Sequence, residues 1–430
     1  MMKSMSRRWV LFLSALCLAV PAMAQNGGDP PMESATKEAV LSAIARVVKS
    51  NAFVPGKDFS GWDAFLEQRK TAITETKTQS EFARAVNEEL SEFFKASHIV
   101  LVTPQAAKAR IERRTVGIGI LVQAEEDGSL TVVSVFDDTP AKEIGLQPGD
   151  RIVEADGKKL EGVPSLLGEE GSTVTIKVLV GGKDPKTHTV TRRKYNNTRI
   201  DTLTWVRDDT ALLKVHTFDI SYDRKKIDAL MEEAGKAKNL ILDLRSNGGG
   251  VVLNMLHLLG HFLPADTKIG TFINKSMVNR FVDETKGDPT DLKAIASWSN
   301  TSVLKPVPLK SGPFKGNVAV LINGGSGSAS EITAAALKET LKSPVVGTRS
   351  AGAVLVSTMA PLPEGWVLQF PLMDYLTAQG VRLEGNGIEP DVEAPLTRFG
   401  EPDVAIDRAI DLLARIELRT RRAGSPPPIE

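Results

Sequence analysis

Residues 317–341 read NVAVLINGGSGSASEITAAALKETL, and this stretch sets the fold of the chain's larger part. Val318–Ile322 is an apolar run of strand length, Asn323–Gly327 is a glycine and serine turn, and an alanine- and leucine-rich helix is predicted near 330–342. The same order recurs upstream. Ala211–His216 precedes a helix near 224–236, and Leu240–Leu244 precedes a helix near 251–262. Such alternation predicts an α/β layered domain with largely parallel strands, spanning about 200–422 and closed by an amphipathic helix at 402–421.

Two turns of this domain carry chemistry. Gly324-Gly325-Ser326-Gly327-Ser328-Ala329-Ser330-Glu331 puts a serine at a strand's carboxyl end and a helix's amino end. Helix amino termini hold free N–H groups and partial positive charge, so Ser328 is placed like a nucleophile beside an amide suited to an oxyanion. The plainer reading is a capping box, Ser328-x-x-Glu331, serving helix stability alone. A phosphate loop is excluded because no lysine follows the glycines. The second turn, Arg245-Ser246-Asn247-Gly248-Gly249-Gly250, follows the strand Leu240–Leu244 with three glycines that let backbone amides approach a ligand, or that simply make a tight turn.

Upstream, helical spacing at Val40, Ile44 and Val47, then at Phe82, Val86, Leu90 and Phe93, predicts a helical module over 35–100. Short β-rich runs between Gly, Asp and Pro turns predict a compact β domain over 113–194. The polar, weakly periodic segment 264–312 reads as an insertion or lid with some strand content possible. Residues 1–24 read as a secretory signal: Lys3, Arg7 and Arg8, an apolar run Trp9–Val20, and Ala22-Met23-Ala24 as the cleavage site. That run is too short to span a bilayer, so an exported chain, periplasmic or secreted, without stable membrane insertion is expected. Lys plus Arg (53) balances Asp plus Glu (53), which leaves no basic field for nucleic acid. The single cysteine, Cys17, lies inside the signal, which removes thiolate catalysis, disulfides and cysteine-bound zinc from the mature chain.

Three motifs in order, Asp243-Leu244-Arg245-Ser246-Asn247-Gly248-Gly249-Gly250, Gly327-Ser328-Ala329-Ser330-Glu331-Ile332 and Glu384-Gly385-Asn386-Gly387-Ile388-Glu389-Pro390-Asp391, resemble those of the tail-specific, carboxy-terminal processing serine peptidases. In the β domain, Val116-Gly117-Ile118-Gly119-Ile120 resembles a PDZ carboxylate-binding loop, and Gly145-Leu146-Gln147-Pro148-Gly149-Asp150 resembles the matching PDZ core. The resemblance implies an α+β multidomain chain: helical N-terminal module, PDZ-like domain, and crotonase-like layered peptidase core. It implies Ser328 as nucleophile, the amides of Ala329 and of Gly249 or Gly250 as oxyanion hole, and Gly117, Ile118, Gly119 and Ile120 as peptide-binding. No cofactor and no metal are implied.

The base is where the chain departs from the pattern. The lysine expected 25 positions after the serine is Ala353 here, and Arg349 nearby stays protonated in proteins. Members resembling the tricorn core use serine, histidine and glutamate instead, which directs attention to the five histidines. His216, ending the strand Ala211–His216, is one expected base; Lys214, on the same strand face by period two, is the other. Imidazole suits neutral pH, whereas lysine needs burial to lower its pKa from about 10.4. Glu384 is expected to orient the base. Ser97-His98 matches a Ser-His signature of many relatives and is read as a structural link between the helical module and the core. His257 and His261, four apart on a helix, have zinc-binding spacing but no third ligand close in sequence. The expected activity is cleavage of polypeptides through an acyl-enzyme, with carboxyl ends captured by the PDZ-like domain. The rival expectation, drawn from the missing lysine, is an inactive peptide-binding scaffold.

Overall fold

The computed structural model describes residues 29–423 apart from 113, 126, 161, 182, 300, 301, 396 and 398. The signal segment with Cys17, and the Pro-rich tail 424–430, lie outside the described residues.

The helical module comprises α1 (Ser34–Asn51), α2 (Trp62–Glu67), α3 (Lys70–Thr74) and α4 (Gln79–Phe94), followed by β1 (Val100–Val102) and α5 (Pro104–Glu112). Val40, Ile44 and Val48 of α1 and Phe82, Val86 and Leu90 of α4 recur at helical spacing and close one core around Trp62 and Trp366. Thr78 caps α4 by accepting from the Glu81 amide at 3.3 Å, and Lys95 ends the helix in the left-handed region at φ 49°.

The β domain holds β2 (Arg114–Gly117), β3 (Ile120–Ala124), β4 (Leu130–Val135), α6 (Pro140–Glu143), β5 (Arg151–Ala155), β6 (Lys158–Lys159), β7 (Thr173–Val180), β8 (Asp184–Thr191) and β9 (Arg193–Asn196). β2 pairs with β9; the main sheet runs β3-β4-β5-β7-β8, with β6 paired to β5. β3 is therefore an edge strand, and Gly117–Ile120 forms the joint leading into it, with Ile118 packed in the domain core.

The core domain follows as β10 (Thr202–Arg207), β11 (Thr210–Lys214), α7 (Arg224–Ala234), β12 (Asn239–Asp243), α8 (Val252–Gly260), β13 (Gly270–Asn274), α9 (Lys275–Thr285), α10 (Leu292–Trp298), β14 (Val303–Leu304), β15 (Asn317–Ile322), α11 (Ala329–Leu341), β16 (Val345–Gly347), β17 (Val356–Pro361), β18 (Val367–Thr377), β19 (Val392–Glu393) and α12 (Val404–Ala423). One sheet runs β10-β11-β12-β15-β16-β19; only the β10–β11 pair is antiparallel. Its central strands β12 and β15 are buried on both faces, which explains their unbroken apolar runs. Leu213, Leu242 and Val320 face α7, α8 and α11, while Leu212, Ile241 and Leu321 face α12. A second, antiparallel sheet runs β1-β18-β13-β14 with β17 on β18, and Tyr375 of β18 joins the α7/α8/α11 core.

The segment 264–312 is not a loose lid. β13 pairs with β18 over five positions, Gly270↔Thr377 to Asn274↔Met373, and Ile273, Val278, Phe281 and Ile295 bury a small core of their own. Two short helices with polar linkers diluted the periodicity that would have announced this.

Candidate active site

β12 and β15 are parallel neighbours, so their carboxyl ends bring the two glycine turns side by side. Asn247 joins them: it is fully buried, its carbonyl accepts from the Gly327 amide (3.0 Å) and from Ser330 Oγ (2.8 Å), and its Nδ2 donates to the Val215 carbonyl (3.0 Å). From the other side Ser326 Oγ donates to the Leu244 carbonyl at 2.8 Å, and Asn323 Oδ1 accepts from the Ser246 amide at 2.8 Å.

Ser328 stands at the joint, half-buried, with φ 51° and ψ −116°. A capping serine normally has extended backbone; this sharp strand-to-helix turn is a strained conformation that aims the side chain outward. A Cβ added to Gly249 would lie 2.7 Å from the Ser328 Cβ, and one added to Gly250 would lie 2.2 Å from the Phe218 carbonyl carbon, so both positions need glycine. The Gly249 amide is taken by Asn247 Oδ1 (3.0 Å). The Gly250 and Ala329 amides make no hydrogen bond with a described residue.

The Glu331 side of the capping box is present in an elaborated form. The Glu331 carboxylate, fully buried, accepts from the Ser328 amide (3.0 Å), Ser350 Oγ (2.6 Å), the Gly352 amide (2.8 Å) and the Ala353 amide (3.0 Å). Burial pushes its pKa up, and the four donors oppose that push. The Ser328 amide also donates to the Ala353 carbonyl at 2.8 Å. Glu331 thus fixes both the serine and the loop opposite it. Glu331→Ala leaves buried donors unpaired at ~1–3 kcal/mol each, so unfolding in urea should show a loss of about 3 kcal/mol or more.

The loop beyond Ala353 leads to Glu384. This buried carboxylate accepts from the Val354 and Leu355 amides (2.8 and 3.2 Å), the Ser97 amide (2.7 Å) and Ser97 Oγ (2.9 Å). Ser97 Oγ lies 2.6 Å from His98 Nδ1. A hydroxyl has one proton; with it given to Glu384, Nδ1 must be the donor and Nε2 carries the free lone pair. Nε2 makes no hydrogen bond with a described residue. His98 itself sits in the left-handed region at φ 61°, as Ser328 does at φ 51°. Burial holds the His98 imidazole below its ordinary 6.5, and Glu384 opposes the shift.

The two expected bases, Lys214 and His216, have other partners. Lys214 alternates with Leu212 toward α12, on the sheet face opposite α11, and its Nζ pairs with Asp243 Oδ2 at 2.8 Å. Arg245 and Lys214 together hold Asp243 at about 2 against the effect of its burial. The His216 amide donates to Asp201 Oδ1 (2.8 Å), and its Nδ1 is buried without a hydrogen-bond partner among the described residues. Burial, with Arg199 and Lys214 adding to it, pushes His216 down to about 4. Neither side chain is hydrogen-bonded to Ser328 or Glu384. Sequence reasoning read Ser97-His98 as a link between the helical module and the core, and Ser97 does donate to Glu384 from 287 positions away; that His98 Nδ1 extends this line was not anticipated. Among the described residues no helix is long and apolar enough to cross a membrane.

The family model for peptidase family S41 matches residues 209–394, and that for the PDZ domain matches residues 116–191. The carboxy-terminal-processing protease of Bartonella bacilliformis is 32% identical over 295 residues, covering 65% of this chain and 62% of that protein. The carboxy-terminal processing protease CtpA of Bacillus subtilis is 28% identical over 295 residues, covering 66% and 57%. The matched region spans 52 to 62% of the length of such curated relatives. The crystal structure of mature CPAF shares the fold, with a TM-score of 0.54 at 13% identity over 91% of this chain and 99% of that one. Residues 209–394 thus match peptidase family S41 and residues 116–191 the PDZ domain, and the two-sheet layered core lies in a chain similar to the carboxy-terminal processing proteases.

Proposed function

We propose that this chain is an exported serine endopeptidase in which His98, positioned by Ser97 and Glu384, activates Ser328. The observation that carries the reading is the hydrogen-bond line Glu384–Ser97–His98, anchored to the same 353–355 loop that holds the Ser328 amide. His98 Nε2 takes the proton as Ser328 Oγ forms its bond to the scissile carbonyl carbon. The oxyanion is met by the Ala329 and Gly250 amides, and the C–N bond breaks as Nε2 returns the proton to the leaving amine. Water then hydrolyses the acyl-enzyme with His98 again as base. This arrangement removes the need for a lysine at Ala353. Substrate polypeptides would reach the site by adding a strand to the open edge of β3, their carboxyl end at the Gly117–Ile120 joint. Export rests on the basic start, apolar run and Ala22-Met23-Ala24 site of the first 24 residues.

A fluorophosphonate probe tests the reading. Wild type should be labelled at Ser328, and Ser328→Ala should not. A folded wild type that stays unlabelled would instead favour the peptide-binding scaffold. The acid limb is a further check. A base must be neutral, so kcat/KM is retained above the folded-state pKa of His98 and lost as pH falls through it. Because burial lowers that pKa, the midpoint in a peptide-cleavage profile should lie below 6.5.

A further inference from the structure

We propose that Asp228, His257 and His261 form a zinc site joining α7 to α8. His257 lies on α8, His261 caps its end, and Asp228 comes from α7; each offers one donor atom, all within 4.8 Å of one another. Both imidazoles present Nε2 to the same oxygen, Asp228 Oδ1, at 3.1 and 2.9 Å. A tetrahedral zinc with bonds of about 2.0–2.2 Å separates its donors by roughly 3.3 Å, so only small side-chain shifts seat the ion. The two rings are nearly buried, at 5% and 4% exposure, whereas the Asp228 side chain is half exposed. The fourth position therefore opens to water, and the ion has a path in.

The surroundings suit a ligand set. Tyr222 Oη lies 3.0 Å from His257 Nδ1, the second-ring-nitrogen contact that fixes the orientation of a metal-bound histidine. Its hydroxyl can accept from Nδ1–H once Nε2 is committed to metal. Two nitrogens and one carboxylate favour zinc over calcium or magnesium, which prefer all-oxygen sites. The site does not depend on the peptidase reading.

The test is titration of the chelator-stripped full chain with zinc chloride by calorimetry, repeated with cobalt(II) to read visible ligand-field bands. One equivalent of zinc, a cobalt spectrum of a low-coordinate nitrogen and oxygen site, and a melting midpoint that rises with zinc are expected. His261→Gln should weaken binding by more than the ~10–100-fold cost of losing a supporting hydrogen bond. Asp228→Asn, an exposed and nearly isosteric change, gives the same reading should the buried variant fail to fold. Absence of stoichiometric zinc in wild type, or unchanged affinity in Asp228→Asn, overturns the site.

Discussion

Ser328→Ala should reduce kcat/KM for peptide cleavage by about 10⁶, the scale on which a serine peptidase loses activity with its nucleophile. The substitution should be nearly silent for folding. The side chain is half-buried, the turn is held by Asn247, Asn323 and Glu331, and alanine keeps every backbone contact. The unusual φ and ψ at 328 strain alanine no less than serine, so little strain is relieved. An unchanged melting curve beside lost cleavage separates chemistry from stability.

His98→Gln should cost nearly as much, about 10⁴–10⁶ in kcat/KM, because nucleophile and base act as a unit. Glutamine can still take a hydrogen bond from or give one to Ser97, so the Ser97–Glu384 link survives and only proton transfer is removed. His216→Gln should stay within a small factor of wild type. Its Nδ1 has no partner to lose, and burial already holds the ring near a pKa of about 4, poor driving force for a base at neutral pH. The acid limb described for wild type should vanish in the residual activity of His98→Gln and persist in His216→Gln.

The layered core was legible because its strands are short apolar runs ended by glycine turns, and each turn feeds a helix. Ser328 was legible for the same reason: strand end, turn and helix start are local in sequence. The proposed base was not local. Ser97 and Glu384 are 287 positions apart and meet only because β1 joins the edge of β18, carrying the end of the helical module to the core. Period-two reasoning grouped Lys214 with His216 on one strand face, yet β11 ends at Lys214, and spacing could not say that the Leu212 side of β11 packs on α12. Asp228 was missed as a companion of His257 and His261 because it belongs to a different helix, and helix packing is not written in spacing. The segment 264–312 hid its strands for a related reason: β13 is five residues long and earns its place through β18, more than ninety residues on.

The central claim, that His98 activates Ser328, is met most directly by a crystal structure of the wild-type chain phosphonylated at Ser328. His98 Nε2 should stand about 2.6–3.2 Å from Ser328 Oγ or the adduct oxygen beside it, with the phosphonyl oxygen within about 3.1 Å of the Gly250 and Ala329 amides. A His98 ring turned away, with His216, Lys214 or no titratable group at the adduct, would contradict the account.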